Sequence, residues 1–191
     1  KDTTVDAADI VTLSGMTSGL INFSDAGGGG ATTALTSITG SLSELRAIYD
    51  KKVAATAKSG ISGIEDAPLV IDEAGVLSAA DLAFLDTNAT GTSSATAIDA
   101  TKAGISLTGL AADLVKVLDA ADDSDNTTNK TIDFGNTTNE ATVDIIVTDV
   151  TLSDTDALEL LDGSLDSEAL TTGQITIVSS NLEGDYTDLV N

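Results

Sequence analysis

The stretch Ser37-Ile-Thr-Gly-Ser-Leu-Ser-Glu-Leu-Arg-Ala-Ile-Tyr-Asp50 decides the fold, because the chain repeats it. It aligns without a gap, at an offset of 69 residues, with Ser106-Leu-Thr-Gly-Leu-Ala-Ala-Asp-Leu-Val-Lys-Val-Leu-Asp119. In both copies a short strand pattern ends at a glycine and apolar residues then follow at helical spacing. Ser41 and Glu44 have the spacing of a capping box. This module, called A, therefore predicts a strand, a cap and a short helix.

A second repeated stretch, module B, predicts the same succession. It is Leu77-Ser-Ala-Ala-Asp-Leu-Ala-Phe-Leu-Asp86, and it recurs with one insertion as Leu152-Ser-Asp-Thr-Asp-Ala-Leu-Glu-Leu-Leu-Asp162. A serine stands three residues before an acid in both copies, Ser78 with Asp81 and Ser153 with Asp156, as at a capped helix start. An A–B pair thus recurs about every 70 residues, as expected of a repeat architecture.

Looser copies of module A are predicted at both ends of the chain. Near the start, Gly15, Leu20 and Asp25 lie 25 residues before Gly40, Leu45 and Asp50 of the first full copy. Near the end, residues 175–189 repeat the pattern loosely, and Ser180 with Glu183 has the spacing of a second capping box. With these copies the order of modules is A, A, B, A, B, A.

Runs rich in β-branched residues lie between the modules and predict strands over 67–72, 96–107, 130–134, 142–150 and 174–179. Gly27–Gly30 predicts a joint, and 122–129, polar throughout, a surface loop. The expected fold is α/β, a repeat-built, solenoid-like stack of short strands with short helices on one side. A mainly-β sandwich or a β-solenoid is the alternative. Three regions follow: 1–36, a strand segment with a Gly-rich joint; 37–120, a first A–B–A region; and 121–191, a second, diverged region.

Composition excludes several classes of function. The 191 residues include 31 acidic and 8 basic residues, for a net charge of −23, with no His and no Cys. Metal sites built on His or Cys, Ser-His-Asp triads and thiol nucleophiles are therefore impossible. A surface of this charge repels nucleic acid and anionic membranes. No apolar segment is long enough to insert into a membrane.

Enzymatic activity is not expected. Paired-carboxylate chemistry needs one acid in an apolar setting that raises its pKa, and no pair of acids stands out in this way. The aromatic platforms that hold sugars are missing, since the chain has no Trp and two tyrosines, Tyr49 and Tyr186. Tyr49 falls on the apolar face of its predicted helix and is expected in the core.

The modules resemble a known repeat type. The stretches that carry the resemblance are 37–50, Gly60-Ile-Ser-Gly-Ile-Glu-Asp66, 77–86 and the segment from Asn88 to Gly109. They are similar to the Thr/Ala/Asp-rich repeats of very large cyanobacterial cell-surface proteins, often described as haemolysin-type or calcium-binding, and of related cyanophage virion proteins. The resemblance covers about residues 32–120 and, more weakly, 141–190. It implies an extracellular, non-catalytic scaffold.

Calcium is the cofactor to consider, although the Gly-Gly-x-Gly-x-Asp runs of calcium β-rolls are absent. Asp50, Asp86, Asp119 and Asp162 each close a predicted helix, where the helix dipole disfavours an acid. One interpretation is that these side chains start turns. The other is that acids ligate Ca²⁺, which prefers several carboxylate and carbonyl oxygens. The candidate ligands are Asp119, Asp122, Asp123 and Asp125.

These patterns predict a structural subunit of an extracellular or cell-surface assembly, such as a filament, surface layer or adhesin, with Ca²⁺ as a possible stabiliser. Its expected partners are further copies of itself or a larger surface or virion assembly. A virion surface or fibre protein of a virus infecting cyanobacteria is one alternative. A receptor- or carbohydrate-binding module is another, disfavoured by the scarcity of aromatic residues.

Overall fold

The fold is described from a computed structural model of the chain. It describes residues 4–23, 35–54, 56–65, 67–89, 98–101, 106–121, 131–134, 142–153, 155, 157, 160, 171–178 and 181–183. Gly27–Gly30, the polar stretch 122–129 and Asp162 lie outside these residues. Every structural statement below concerns the described part of the chain.

Four α-helices lie within the described residues: α1 (Ala7–Met16), α2 (Leu42–Tyr49), α3 (Ala79–Asn88) and α4 (Ala111–Ala121). The predicted capping box of α2 is confirmed, since the Ser41 hydroxyl accepts from the Glu44 N–H and the Glu44 carboxylate accepts from the Ser41 N–H. Ser78 caps α3 as predicted, accepting from the Asp81 N–H at 3.3 Å. Each helix packs against the next, α1 on α2, α2 on α3 and α3 on α4.

The described strands are short and every pair of them is parallel. They are β1 (Thr4–Asp6), β2 (Leu20–Asn22), β3 (Ser37–Gly40), β4 (Gly60–Ser62), β5 (Leu69–Ile71), β6 (Val76–Ser78), β7 (Ile98–Asp99), β8 (Ser106–Gly109), β9 (Ile132–Asp133), β10 (Thr142–Val147), β11 (Thr151–Ser153), β12 (Thr171–Ile177) and β13 (Asn181–Glu183). They form sheets of order β1-β3-β5-β7-β9, β12-β10-β8-β6, β11-β13 and β2-β4. The α/β class is thus as predicted, and the structure adds that its sheets are parallel.

The core is built from aliphatic side chains. Ile38, Leu69, Ile98 and Ile132, which follow one another across the largest sheet, are fully buried, and so is Leu45 on α2. Neighbouring strands of this sheet thus place aliphatic residues side by side. Burial of one such side chain contributes about 1.5–3 kcal/mol. Tyr49 is buried among them, as expected.

Three predictions about the elements are wrong. The looser copy of module A near the start does not exist, because Gly15 lies inside α1 and Leu20 lies in β2, which is a strand. The second capping box does not exist either, because Glu183 lies in β13. The single strand over 96–107 is two strands, since β7 ends at Asp99 and β8 begins at Ser106, in a different sheet.

Two helices are capped from a distant part of the chain. The Glu73 carboxylate accepts from the N–H of Leu42, the first residue of α2, at 2.7 Å. The Asp149 carboxylate accepts from the N–H of Ala111, the first residue of α4, at 2.7 Å. Glu73 lies two residues after β5, which pairs with β3, the strand before α2. Asp149 lies two residues after β10, which pairs with β8, the strand before α4. A carboxylate at a helix start satisfies a free N–H and complements the helix dipole.

Removing these acids should destabilise the fold. We expect Glu73→Ala and Asp149→Ala each to lower the free energy of unfolding by about 1 kcal/mol, the usual loss at a helix cap. Asp119→Ala is the matched control, because Asp119 lies exposed in the last turn of α4, where an acid is unfavourable. Urea unfolding in EDTA measures all three. Equal midpoints for Glu73→Ala and Asp119→Ala would contradict the capping role.

Candidate assembly interface

The predicted calcium ligands are placed only in part. Asp119 is exposed on α4, whereas Asp122, Asp123 and Asp125 lie outside the described residues. Elsewhere in the described part of the chain, no three acidic side chains come together as a metal site would require. Calcium at 119–125 therefore stays a prediction.

Of the acids that were predicted to end helices, one described residue, Asp50, does so. Asp50 is the C-cap of α2, and its carboxylate lies 3.1 Å from Nε of Arg46. Asp86 and Asp119 instead lie inside the last turns of α3 and α4, so the prediction that they end those helices is wrong. The Asp86 carboxylate accepts from the Thr131 hydroxyl, just before β9. Hydrogen bonds and ion pairs with side chains account for Asp50 and Asp86 without a metal.

The strand pairs recur in one order along the chain. In residues 4–71, β1 pairs with β3, β3 with β5, and β2 with β4. In residues 76–147, β6 pairs with β8, β8 with β10, and β7 with β9. A helix follows the first and third strands in both segments. We call these segments the first and second units; a third starts with the pair β11 and β13.

Each unit is joined to the next by one strand pair. The last strand of the first unit, β5, pairs with β7, the second strand of the second unit, with Leu69 opposite Ile98. The last strand of the second unit, β10, pairs with β12 of the third unit, with Ile145 opposite Ile175. At both junctions an aliphatic residue of the last strand therefore lies opposite an isoleucine, although the pairing of β10 with β12 also contains a register shift between Val143 and Ile145.

Side chains of α2 and α3 reinforce the first junction. The Arg46 guanidinium lies 3.2 Å from the Asp81 carboxylate and 3.4 Å from the centre of the Phe84 ring. Lys52 Nζ donates to the Asn88 carbonyl, near the end of α3, at 2.6 Å. A cation at a helix C-terminus complements the dipole, and one over an aromatic ring gains about 0.5–1 kcal/mol at an exposed site. Two of the chain's 8 basic residues thus lie next to a helix terminus or an aromatic ring at this junction.

The first unit leaves the corresponding surface open. Within the described residues, β2 pairs with the later strand β4 and with no strand before it, whereas each of its counterparts pairs with a preceding strand, β7 with β5 and β12 with β10. Leu13, the seventh residue after the N-cap of α1, is 47% exposed, while the same position in α2, α3 and α4 (Ile48, Leu85 and Val117) is fully buried. We call the edge of β2 that faces away from β4, together with Leu13, the leading face. The edge of a strand is a site at which another strand can pair.

A small groove opens beside the leading face. Ser14, Thr17, Ser18, Lys51 and Ser59 supply its polar groups, and Lys51 Nζ donates to the Ser14 hydroxyl at 2.8 Å. Lys51 thereby places a positive charge near the C-terminal end of α1, which favours the helix. No carboxylate lines this groove.

Sequence reasoning missed the copy of module B that begins the first unit. Val5-Asp-Ala-Ala-Asp-Ile10 corresponds to Leu77-Ser-Ala-Ala-Asp-Leu82, since each runs from a strand into the first turn of a helix. The signal was present as Ala-Ala-Asp followed by an aliphatic residue, which occurs again at 111–114. Recognising it places the unit boundaries at β1 and β6.

Comparison with protein-family models, with curated proteins and with solved structures finds no match. None of the described helices has the length and apolar character needed to cross a membrane.

Proposed function

We propose that the chain is a non-catalytic structural subunit of an extracellular assembly, a filament, surface layer or adhesin, built as a solenoid-like stack of its repeat units. The observation that carries this proposal is the junction between units, in which the last strand of one unit pairs in parallel with the second strand of the next, β5 with β7 and β10 with β12. A chain that continues its sheets from unit to unit in this way can continue them into another chain. The open edges of its parallel sheets are the means of assembly.

The charge of the chain fits a regulated assembly. At −23, copies repel one another at low ionic strength, and salt or a divalent cation screens that repulsion. The acids at 119–125 are where bound calcium would act most directly. Calcium would then lower the concentration needed for assembly without changing the fold.

Electron microscopy of negatively stained protein, with EDTA and with millimolar CaCl₂, tests the proposal. We expect elongated particles that associate end to end into filaments or sheets, and more of them with calcium. Sedimentation at matched ionic strength, with NaCl in place of CaCl₂, separates calcium binding from screening. Monodisperse monomers at all concentrations and in both conditions would contradict a role in assembly.

A further inference from the structure

The leading face of the first unit corresponds to the surface by which the second unit contacts the first, and by which the third unit contacts the second. Ile21 in β2 pairs with Ile61 as Ile98 in β7 pairs with Ile132. Ile98 is fully buried because Leu69 of β5 lies on its other side, whereas Ile21 is half-buried. Among the described strands, Ile21 therefore has one cross-strand neighbour, Ile61, whereas Ile98 has two, Leu69 and Ile132.

From this correspondence we infer that the leading face binds, in parallel, the last strand of another repeat unit of the same kind, supplied by a preceding segment of polypeptide. The inference deepens the proposed stacking role, on which it rests. The expected occupant is an aliphatic strand like Leu69–Ile71 of β5 or Ile145–Val147 of β10. Its first aliphatic residue would lie opposite Ile21, in the register of Leu69 with Ile98 and of Ile145 with Ile175.

The helix of the incoming unit completes the contact. In the first junction, α2 packs on α3 and Leu85 is fully buried. An α2-like helix in front of α1 would bury Leu13 in the same way. It would also bring an arginine like Arg46 towards Asp9, which holds in α1 the position that Asp81 holds in α3. The occupant is therefore a strand and a helix with a basic side chain, and a bare apolar peptide would fit less well.

The first test adds a unit to the full chain. Residues 1–75 are joined ahead of residue 4, so that Gly75 precedes Thr4 as it precedes Val76 in the native chain. Because the chain has no Cys, Leu13→Cys in the downstream copy is a unique probe of the leading face. We expect its reaction with a maleimide to slow at least about ten-fold relative to Leu13→Cys in the unextended chain. Val150→Cys, at a position 77% exposed, is the control and should react equally fast in both chains.

An unchanged rate at Leu13→Cys in a folded extended chain would overturn the inference. Protection in the unextended chain that rises with its own concentration would show that a second copy supplies the docked unit, as the proposed assembly allows, and would overturn a preceding segment as its source. If labelling of the extended chain is slow but electron microscopy shows only monomers, the docking surface is supported and the proposed role in assembly is contradicted.

A second test does not require the extended chain to fold. The full chain with Ile21→Cys is equilibrated in a thiol–disulfide buffer with a synthetic peptide of residues 66–75 that carries Leu69→Cys. The matched peptide carries Ile71→Cys instead and places its thiol out of register. We expect at least about a three-fold preference for the Leu69→Cys peptide in the mixed disulfide, because cross-strand neighbours lie closer than diagonal ones. Equal yields would overturn the inferred register.

Discussion

Gly40→Ala should destabilise the protein by about 2–3 kcal/mol, a large cost for one methyl group and one typical of an overpacked core. A Cβ at Gly40 would lie 2.5 Å from Cβ and 3.6 Å from Cα of Ala7, the first residue of α1, and 3.1 Å from Oε2 of Glu44. The closest contact is with the first turn of α1, which cannot move without disturbing its packing on α2. The midpoint of urea unfolding, read by far-UV circular dichroism, measures the loss.

Gly109→Ala repeats the experiment in the second unit. Its Cβ would lie 2.9 Å from Cβ of Ala79, so the same kind of clash is milder and a loss of about 1–2 kcal/mol is expected. Gly15→Ala is the control, because a Cβ there meets nothing within 4 Å and alanine favours the helix, with an expected gain of up to about 1 kcal/mol.

A size swap identifies the contact directly. The double variant Ala7→Gly with Gly40→Ala restores one methyl group between the two positions and should recover at least half of the loss. Such coupling is expected of residues in contact and not of distant ones. If Gly40→Ala is as stable as the wild type, or the swap recovers nothing, the close approach of Ala7 in α1 to β3 is not what requires glycine.

The module sequence predicted local structure well because its signals are local. Ser41 and Glu44 are three residues apart, and the bounds of α2 follow from their spacing and from the aliphatic positions after them. The junctions could not be predicted in this way. Strands such as β7 and β9 have two residues each, too few to show an alternating pattern, and their partners lie about 30 residues away.

The position of the candidate interface was not predicted. Acidity and repeats favoured an assembly of copies, yet β2 was not singled out, because Leu20 was aligned with Leu45 of a helical module. The distant caps Glu73 and Asp149 were also missed, since a helix N-terminus gives no sign in the sequence of an acceptor contributed by the next strand. In both cases the deciding contact joins residues 31 or more positions apart.

The second large effect is expected at Tyr49, the one described residue that combines an aromatic core position with a buried hydrogen bond. Its side chain is 3% exposed, and its hydroxyl donates to the Ile64 carbonyl at 3.0 Å. Ile64 lies in the connection from β4 to β5, the strand that forms the junction with the second unit. Tyr49 thereby fixes the segment that delivers β5 to β7.

Tyr49→Ala should lower the free energy of unfolding by about 3–5 kcal/mol through the cavity it leaves. Tyr49→Phe keeps the ring and leaves the Ile64 carbonyl without this donor, at an expected cost of about 1–2 kcal/mol. Val150→Ala, at an exposed position, is the control and should change stability by less than about 0.5 kcal/mol.

Hydrogen exchange distinguishes a local from a global effect of the lost hydroxyl. If Tyr49 fixes the connection, Tyr49→Phe should accelerate exchange at Ile64 and in β5 more than in α4, which packs further along the row of helices. Uniform acceleration across the chain would mean that the hydroxyl contributes to overall stability alone. Faster exchange confined to β5 would instead show that one hydrogen bond controls how firmly the first unit holds the second, and hence how rigid a longer series of such units can be.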